Sequence, residues 1–95
     1  MTDTIAIVRL PNRFDFSYHK VFSQNSDDAF SRSEIKEIEV DFSQVQYLDS
    51  SALGMLVLLA KKASAQKVAI SIRGAQGTAL DILMMANINK LYSIK

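Results

Sequence analysis

Two adjacent serines, Ser50 and Ser51, follow Asp49 where a β-prone segment gives way to an apolar one. Hydroxyls at the opening of a helix stand where unpaired backbone N–H groups and the positive dipole end converge, a setting suited to an anionic group. Two uses of these residues are open. In one, Ser50 or Ser51 caps the helix, Asp49 favours its dipole, and nothing else happens. In the other, a seryl hydroxyl accepts a phosphate. A nucleophilic serine would need a general base within hydrogen-bond reach. The single histidine, His19, lies between Tyr18 and Lys20 at the start of a segment that reads as a surface helix. No catalytic residue is assigned on that basis, and the chain is not read as an enzyme. One histidine and scattered carboxylates show no ligand spacing, so no metal or other cofactor is expected. Gly74 and Gly77 lack the lysine that follows in a phosphate-cradling loop.

The elements that must position Asp49-Ser50-Ser51 are legible on both sides. Before them, Ile38, Val40 and Phe42 alternate with Glu39 and Asp41, the period of a strand with one face more buried than the other. After them, Leu53, Leu56, Val57 and Ala60 fall on one helical face, which Met55, Leu58 and Leu59 widen. Gly54, early in that helix, costs about 1 kcal/mol relative to alanine. It calls for a reason, such as close approach to a strand or a partner.

Along the rest of the chain, Ile5 to Leu10 reads as a first strand ended by Pro11-Asn12. Phe14 and Phe16 alternate with Arg13 and Asp15 as a short second strand, and Ser17 is a candidate N-cap. Tyr18, Val21, Phe22, Ala29 and Phe30 suggest a helix, interrupted by the polar run Ser23 to Asp28 and broken near Ser31-Arg32-Ser33. A strand over roughly Lys36 to Phe42 leads to the central turn. Val68, Ala69, Ile70 and Ile72 form a further buried strand, followed by a loop in which Gly74 and Gly77 can take φ > 0. Thr78 to Asp81 has capping-box spacing, with Leu80, Leu83 and Met84 on the inner face of the last main helix. Asn87-Ile88-Asn89 ends that helix, and Leu91, Tyr92 and Ile94 add a terminal strand or half-turn. Strands alternating with helices predict one α/β domain over residues 1–95, a mixed sheet with helices mainly on one face.

Composition narrows the function classes. Ninety-five residues make one core, and the hydrophobic content of 48% is too high for disorder. Eleven basic against ten acidic residues, a net charge of +1, give no electrostatic reason to expect nucleic acid. The apolar run Ala52 to Ala60 is too short to span a bilayer, so no direct membrane contact is expected. No basic-then-apolar leader is seen, and the absence of cysteine removes thiol chemistry and allows a reducing cytosol.

The segment VDFSQVQYLDSSALGMLVLLAKKA resembles the core of a STAS domain, the module shared by anti-sigma factor antagonists and the tails of sulfate transporters. Asp41-Phe42-Ser43 is similar to the family's D-L-S triplet, and Asp49 to Gly54 to its D-S-[ST]-G-L-G turn. Phe14-Asp15-Phe16-Ser17 and Ala86 to Tyr92 resemble its outer motifs. The resemblance implies a STAS fold and a cytoplasmic anti-sigma factor antagonist. Ser50 would be the phosphate acceptor, with Ser51 as second choice. It implies a serine kinase and anti-sigma partner of the histidine-kinase-like ATPase type, and a metal-dependent serine phosphatase. Asp49, Ser50, Ser51, Ala52 and Gly54 would meet the partner, with Asp15 and Ser17 as a flank, and the free protein would be monomeric. Ala52 stands where the family usually has glycine. The alternative the family offers is an accessory subunit that binds the ATPase of a membrane transporter without phosphorylation.

Overall fold

The computed structural model describes residues 4–32 and 34–95. Strand β1 (Ile5–Arg9) is followed by the two-residue β2 (Arg13–Phe14), a 3-10 turn (Phe16–Tyr18) and α1 (His19–Phe30). Then come β3 (Glu37–Asp41), β4 (Tyr47–Leu48), α2 (Ser50–Gln66), β5 (Ala69–Arg73), α3 (Gly77–Met85), a second 3-10 turn (Ile88–Lys90) and β6 (Ser93–Ile94).

The main sheet has the order β1-β3-β5-β6, and each pairing is parallel. The expectation of a mixed sheet is thus corrected to a parallel one among the described strands. Each adjacent pair is linked by a segment carrying a helix, and parallel neighbours require such a crossover. The α/β class and the helices on one face are as expected. Ala6, Val8, Ile38, Val40 and Ile72 join residues from all three helices in one buried cluster. Phe14 sits at its aromatic end, 5.4 Å from Phe22 and 6.2 Å from Phe42 between ring centroids. Tyr92 closes the other side, donating its hydroxyl to the Leu56 carbonyl at 2.6 Å; burial pushes its phenol pKa up.

The opposite face of the sheet carries an ionic cluster on β3, β5 and the C-terminus beside the exposed Ile5 and Ile7 of β1. Lys95 Nζ lies 2.9 Å from Glu37 and 3.2 Å from Glu39, and Arg73 lies 3.7 Å from Glu39. These neighbours bury Glu39 to 8% exposure, so alternation in β3 does not separate a wet face from a dry one. Ser71 donates to Glu37 at 2.6 Å, and that hydroxyl, then Lys95, holds the Glu37 carboxyl below the usual range.

Several local expectations are corrected. Phe16 leaves the strand for the 3-10 turn and is 66% exposed. Helix α1 runs unbroken through its polar middle, because Phe22, Ser26 and Ala29 make a buried face while the Ser26 hydroxyl donates to the Phe22 carbonyl at 2.8 Å. The break follows at Ser31 and Arg32; Ser33 lies outside the described residues. On α2 the buried set is Ala52, Met55, Leu56, Leu59, Ala60 and Ala63, and Leu58 is 60% exposed. Thr78 does not cap α3: Gln76 holds the cap position without a side-chain bond, and Ala79 and Leu83, rather than Met84, face the core. Gly74 and Gly77 do take positive φ, and a Cβ on Gly74 would meet the Ser43 backbone at 3.1 Å.

Candidate functional site

The mouth of α2 is built by the pairing of β2 with β4. Arg13 is beside Tyr47 and Phe14 beside Leu48 in parallel register, so Asp15 and Asp49 are the next residues on the two strands. Gln46 fixes the start of this pair by donating its N–H to the Asn12 carbonyl at 2.8 Å. Each strand then delivers an aspartate to a helical start. Asp49 has extended backbone and accepts the Ala52 N–H at 2.9 Å, capping α2. Asp15 accepts the Ser17 N–H at 3.0 Å and also the Ser17 hydroxyl. The Arg13 guanidinium bonds Asp15 at 2.6 Å and lies over the Tyr47 ring, 4.7 Å from its centroid. Ser17 first, and Arg13 next, hold the Asp15 carboxyl below its usual range.

This geometry decides between the caps proposed from sequence. Asp49, not Ser50 or Ser51, satisfies the helix, since its side chain reaches the third helical N–H. Ser50 and Ser51 are the first two helical residues and are exposed, and neither hydroxyl bonds to any described residue. Both are available to outside chemistry. Asp15 similarly takes the capping role expected of Ser17.

Most of the candidate set comes together. Asp15, Ser17, Asp49, Ser50 and Ser51 share one end of the domain through the β2–β4 register. Ala52 does not belong to the surface: its side chain is fully buried, so its methyl fills the core and only its N–H serves the mouth. Gly54 is exposed, and a Cβ placed there meets no atom within 4 Å. Close approach of a strand is therefore not the reason for glycine. Arg13, Tyr47 and Leu58 were absent from the sequence-derived site, while Phe16 belonged to its flanking segment Phe14 to Ser17. Arg13 and Tyr47 enter through strand pairing between residues distant in the chain. Leu58 enters because its apolar side chain remains exposed.

His19, the first residue of α1, stacks on Phe16 at 5.4 Å between ring centroids. Among the described residues no group of three or more His, Cys, Asp or Glu could hold a metal ion. No helix among them is long and apolar enough to cross a membrane.

Residues 1–93 match the family described as "Mlab, STAS domain". The chain belongs to the STAS family. STAS domains are regulatory binding modules rather than enzymes. A STAS-domain containing protein of Pseudomonas aeruginosa (strain UCBPP-PA14) is 36% identical over 89 residues, spanning 92% of this chain and 84% of that one. The STAS domain of a SulP transporter from Vibrio cholerae superposes with a TM-score of 0.81 at 15% identity, over 98% of this chain and 71% of that one. The anti-sigma factor antagonist SpoIIAA, unphosphorylated, gives 0.79 at 15% identity over 99% of this chain and 82% of its own. SpoIIAA of Bacillus has also been solved phosphorylated, and that form gives 0.73 at 14% identity over 99% and 85%. At these identities the structural likenesses carry the fold alone.

Proposed function

We propose that this STAS domain is a cytoplasmic partner-switching regulator of the anti-sigma factor antagonist type. It binds a serine kinase/anti-sigma partner through the mouth of α2 and releases it when Ser50 is phosphorylated. The observation that carries the reading is the division of labour at the mouth. Asp49 caps the helix, which leaves the Ser50 and Ser51 hydroxyls exposed and without structural duty. The solved phosphorylated form of SpoIIAA supports phosphate chemistry within this fold. A phosphoserine carries about −1.5 to −2 charges at pH 7. The α2 N-terminus favours it by roughly 0.3–1 kcal/mol. Against a partner fitted to a neutral hydroxyl, the phosphate must be desolvated beside Asp49 and near Asp15, and this cost dominates. Exposed Gly54 supports the same surface, since its missing side chain lets a partner backbone approach α2.

The second reading is an accessory subunit that binds a transporter ATPase without phosphorylation. The fold leaves it on equal footing, since the STAS domain of a transporter superposes with a TM-score of 0.81 beside 0.79 for SpoIIAA. One experiment separates them: protein purified from its own cells is tested by mass spectrometry for phosphate on Ser50 and for its bound partner. Pull-downs with and without ATP then compare wild type with Ser50→Ala, Ser50→Asp, Ser51→Ala and Gly54→Leu. The switch predicts strong binding for Ser50→Ala, weaker for Ser50→Asp and weakest for phosphorylated protein, with Gly54→Leu folded but unable to bind. Phosphate on Ser51 alone would move the acceptor by one residue. A stable unphosphorylated complex with a transporter ATPase would establish the second reading.

A further inference from the structure

From the mouth, α2 presents Ser50, Gly54 and Leu58 at i, i+4 and i+8, all exposed and thus on one outward stripe. Beside the lower part of this stripe lies a groove of about 200 Å³ between α1 and α2. Phe22, Met55 and Leu59 form its buried lining, and Leu58 stands at its rim with 60% of its surface exposed. Its α2 rim carries two cations, Lys61 and Lys62, and Lys62 reaches Asp27 of α1 at 3.2 Å, a pair more than half exposed at both ends, so Lys61 is the rim cation without an ion pair among the described residues. Exposed pairs of that kind contribute little and exchange partners readily. The carboxylates of Asp15 and Asp49 lie at the opposite, N-terminal end of the α2 stripe.

We propose that this groove receives an amphipathic helix of a partner protein, which inserts one apolar side chain and sets acidic residues against Lys61 and Lys62. The volume falls below the roughly 300–1,000 Å³ of small-molecule sites and suits a side-chain anchor. An exposed leucine beside a desolvated apolar floor is the arrangement from which interface anchors are made. The charge order fixes the direction: negative residues of the partner lie toward the lysine end, away from Asp15 and Asp49. The inference rests on the reading of α2 as a docking element and extends it from the mouth to a second anchoring point.

The test places a photo-crosslinking p-benzoylphenylalanine at position 58 of the full chain in its own cells and sequences the crosslinked peptide. The expected product is a helical segment of the protein that also binds wild type, with carboxylates flanking an apolar residue. Lys61→Glu combined with Lys62→Glu should weaken that complex at least about tenfold. Lysines introduced at the crosslinked acidic positions of the partner should restore it. Circular dichroism on each variant checks the fold, and both lysines are exposed. No crosslink from position 58, a crosslink to a second copy of this chain or to lipid, a segment without acidic residues, or full binding by the charge-reversed variant each overturns the proposal. Gly54→Leu and Ser50→Asp report separately on the mouth. Their loss of binding alongside an unaffected charge-reversed variant would sink the groove and leave the docking reading standing.

Discussion

Removing the Asp49 carboxylate should cost far more stability than removing either neighbouring hydroxyl. Asp49 accepts the Ala52 N–H at 2.9 Å, and Ala52 is fully buried, so no solvent stands ready to replace the lost acceptor. Loss of an N-cap of this kind costs roughly 0.5–2 kcal/mol. Loss of a negative charge at the dipole end costs roughly 0.3–1 kcal/mol. The two effects share one carboxylate and do not simply add, so Asp49→Ala should lose about 1–2 kcal/mol. For a domain of 95 residues this lowers Tm by about 4–8 °C for each kcal/mol. Asp49→Asn keeps the acceptor and gives up the charge, and it also removes repulsion from Asp15 on the adjoining strand. It should therefore fall closer to wild type than Asp49→Ala does. Ser50→Ala and Ser51→Ala delete hydroxyls that bond to no described residue, so each should stay within about 0.5 kcal/mol. Urea titration of the four variants at one pH, with thermal melts alongside, gives the ordering directly. If Ser50→Ala loses more than about 1 kcal/mol while Asp49→Ala loses less than about 0.5, the assignment of the cap is wrong and the free-hydroxyl argument falls with it.

Leu56 is fully buried in the face of α2 that meets the sheet, so Leu56→Ala should cost about 2–5 kcal/mol in the same titration; a loss under about 1 kcal/mol would place it outside the core. Gly74→Ala should destabilise measurably by about 1–2 kcal/mol, since φ is +79° and the new Cβ meets Ser43 at 3.1 Å; an unchanged urea midpoint would refute the close approach. Glu37 titrates below its ordinary value of 4.5 because of Ser71 and Lys95, so its contribution is complete above that pH and is lost as pH falls through the depressed folded value. The stability of Lys95→Met should accordingly fall less on acidification than that of wild type, and NMR titration should show Glu37 moving back toward its ordinary value. An unchanged Glu37 titration in that variant would mean the ion pair is not formed in solution.

The local signals were enough for the backbone of the domain. The alternation around Val40, the apolar spacing after Ser51, and the turn residues at Pro11, Gly74 and Asn87 named the main elements, since period, propensity and punctuation are local properties. They also placed Asp49-Ser50-Ser51 at the start of the central helix, whereas Asp15 and Ser17 entered as a flank only through the family resemblance. Tertiary structure decided which residue does what there. Asp49 and Ser50 are both good cap residues by type, and only backbone geometry shows whose oxygen reaches the Ala52 N–H. The two-residue β4 lies below the length at which alternation can be read, and it exists because residues 13–14 lie beside 47–48. That pairing brings Arg13 over Tyr47 and Asp15 next to Asp49, contacts that no local window contains. The inner face of α2 was likewise set by its neighbours. Leu58 and Leu59 are equivalent in sequence, yet Leu59 is buried in the floor of the α1–α2 groove and Leu58 stands exposed at its rim. Hydrophobicity selects the residues able to be buried, while packing selects which of them are.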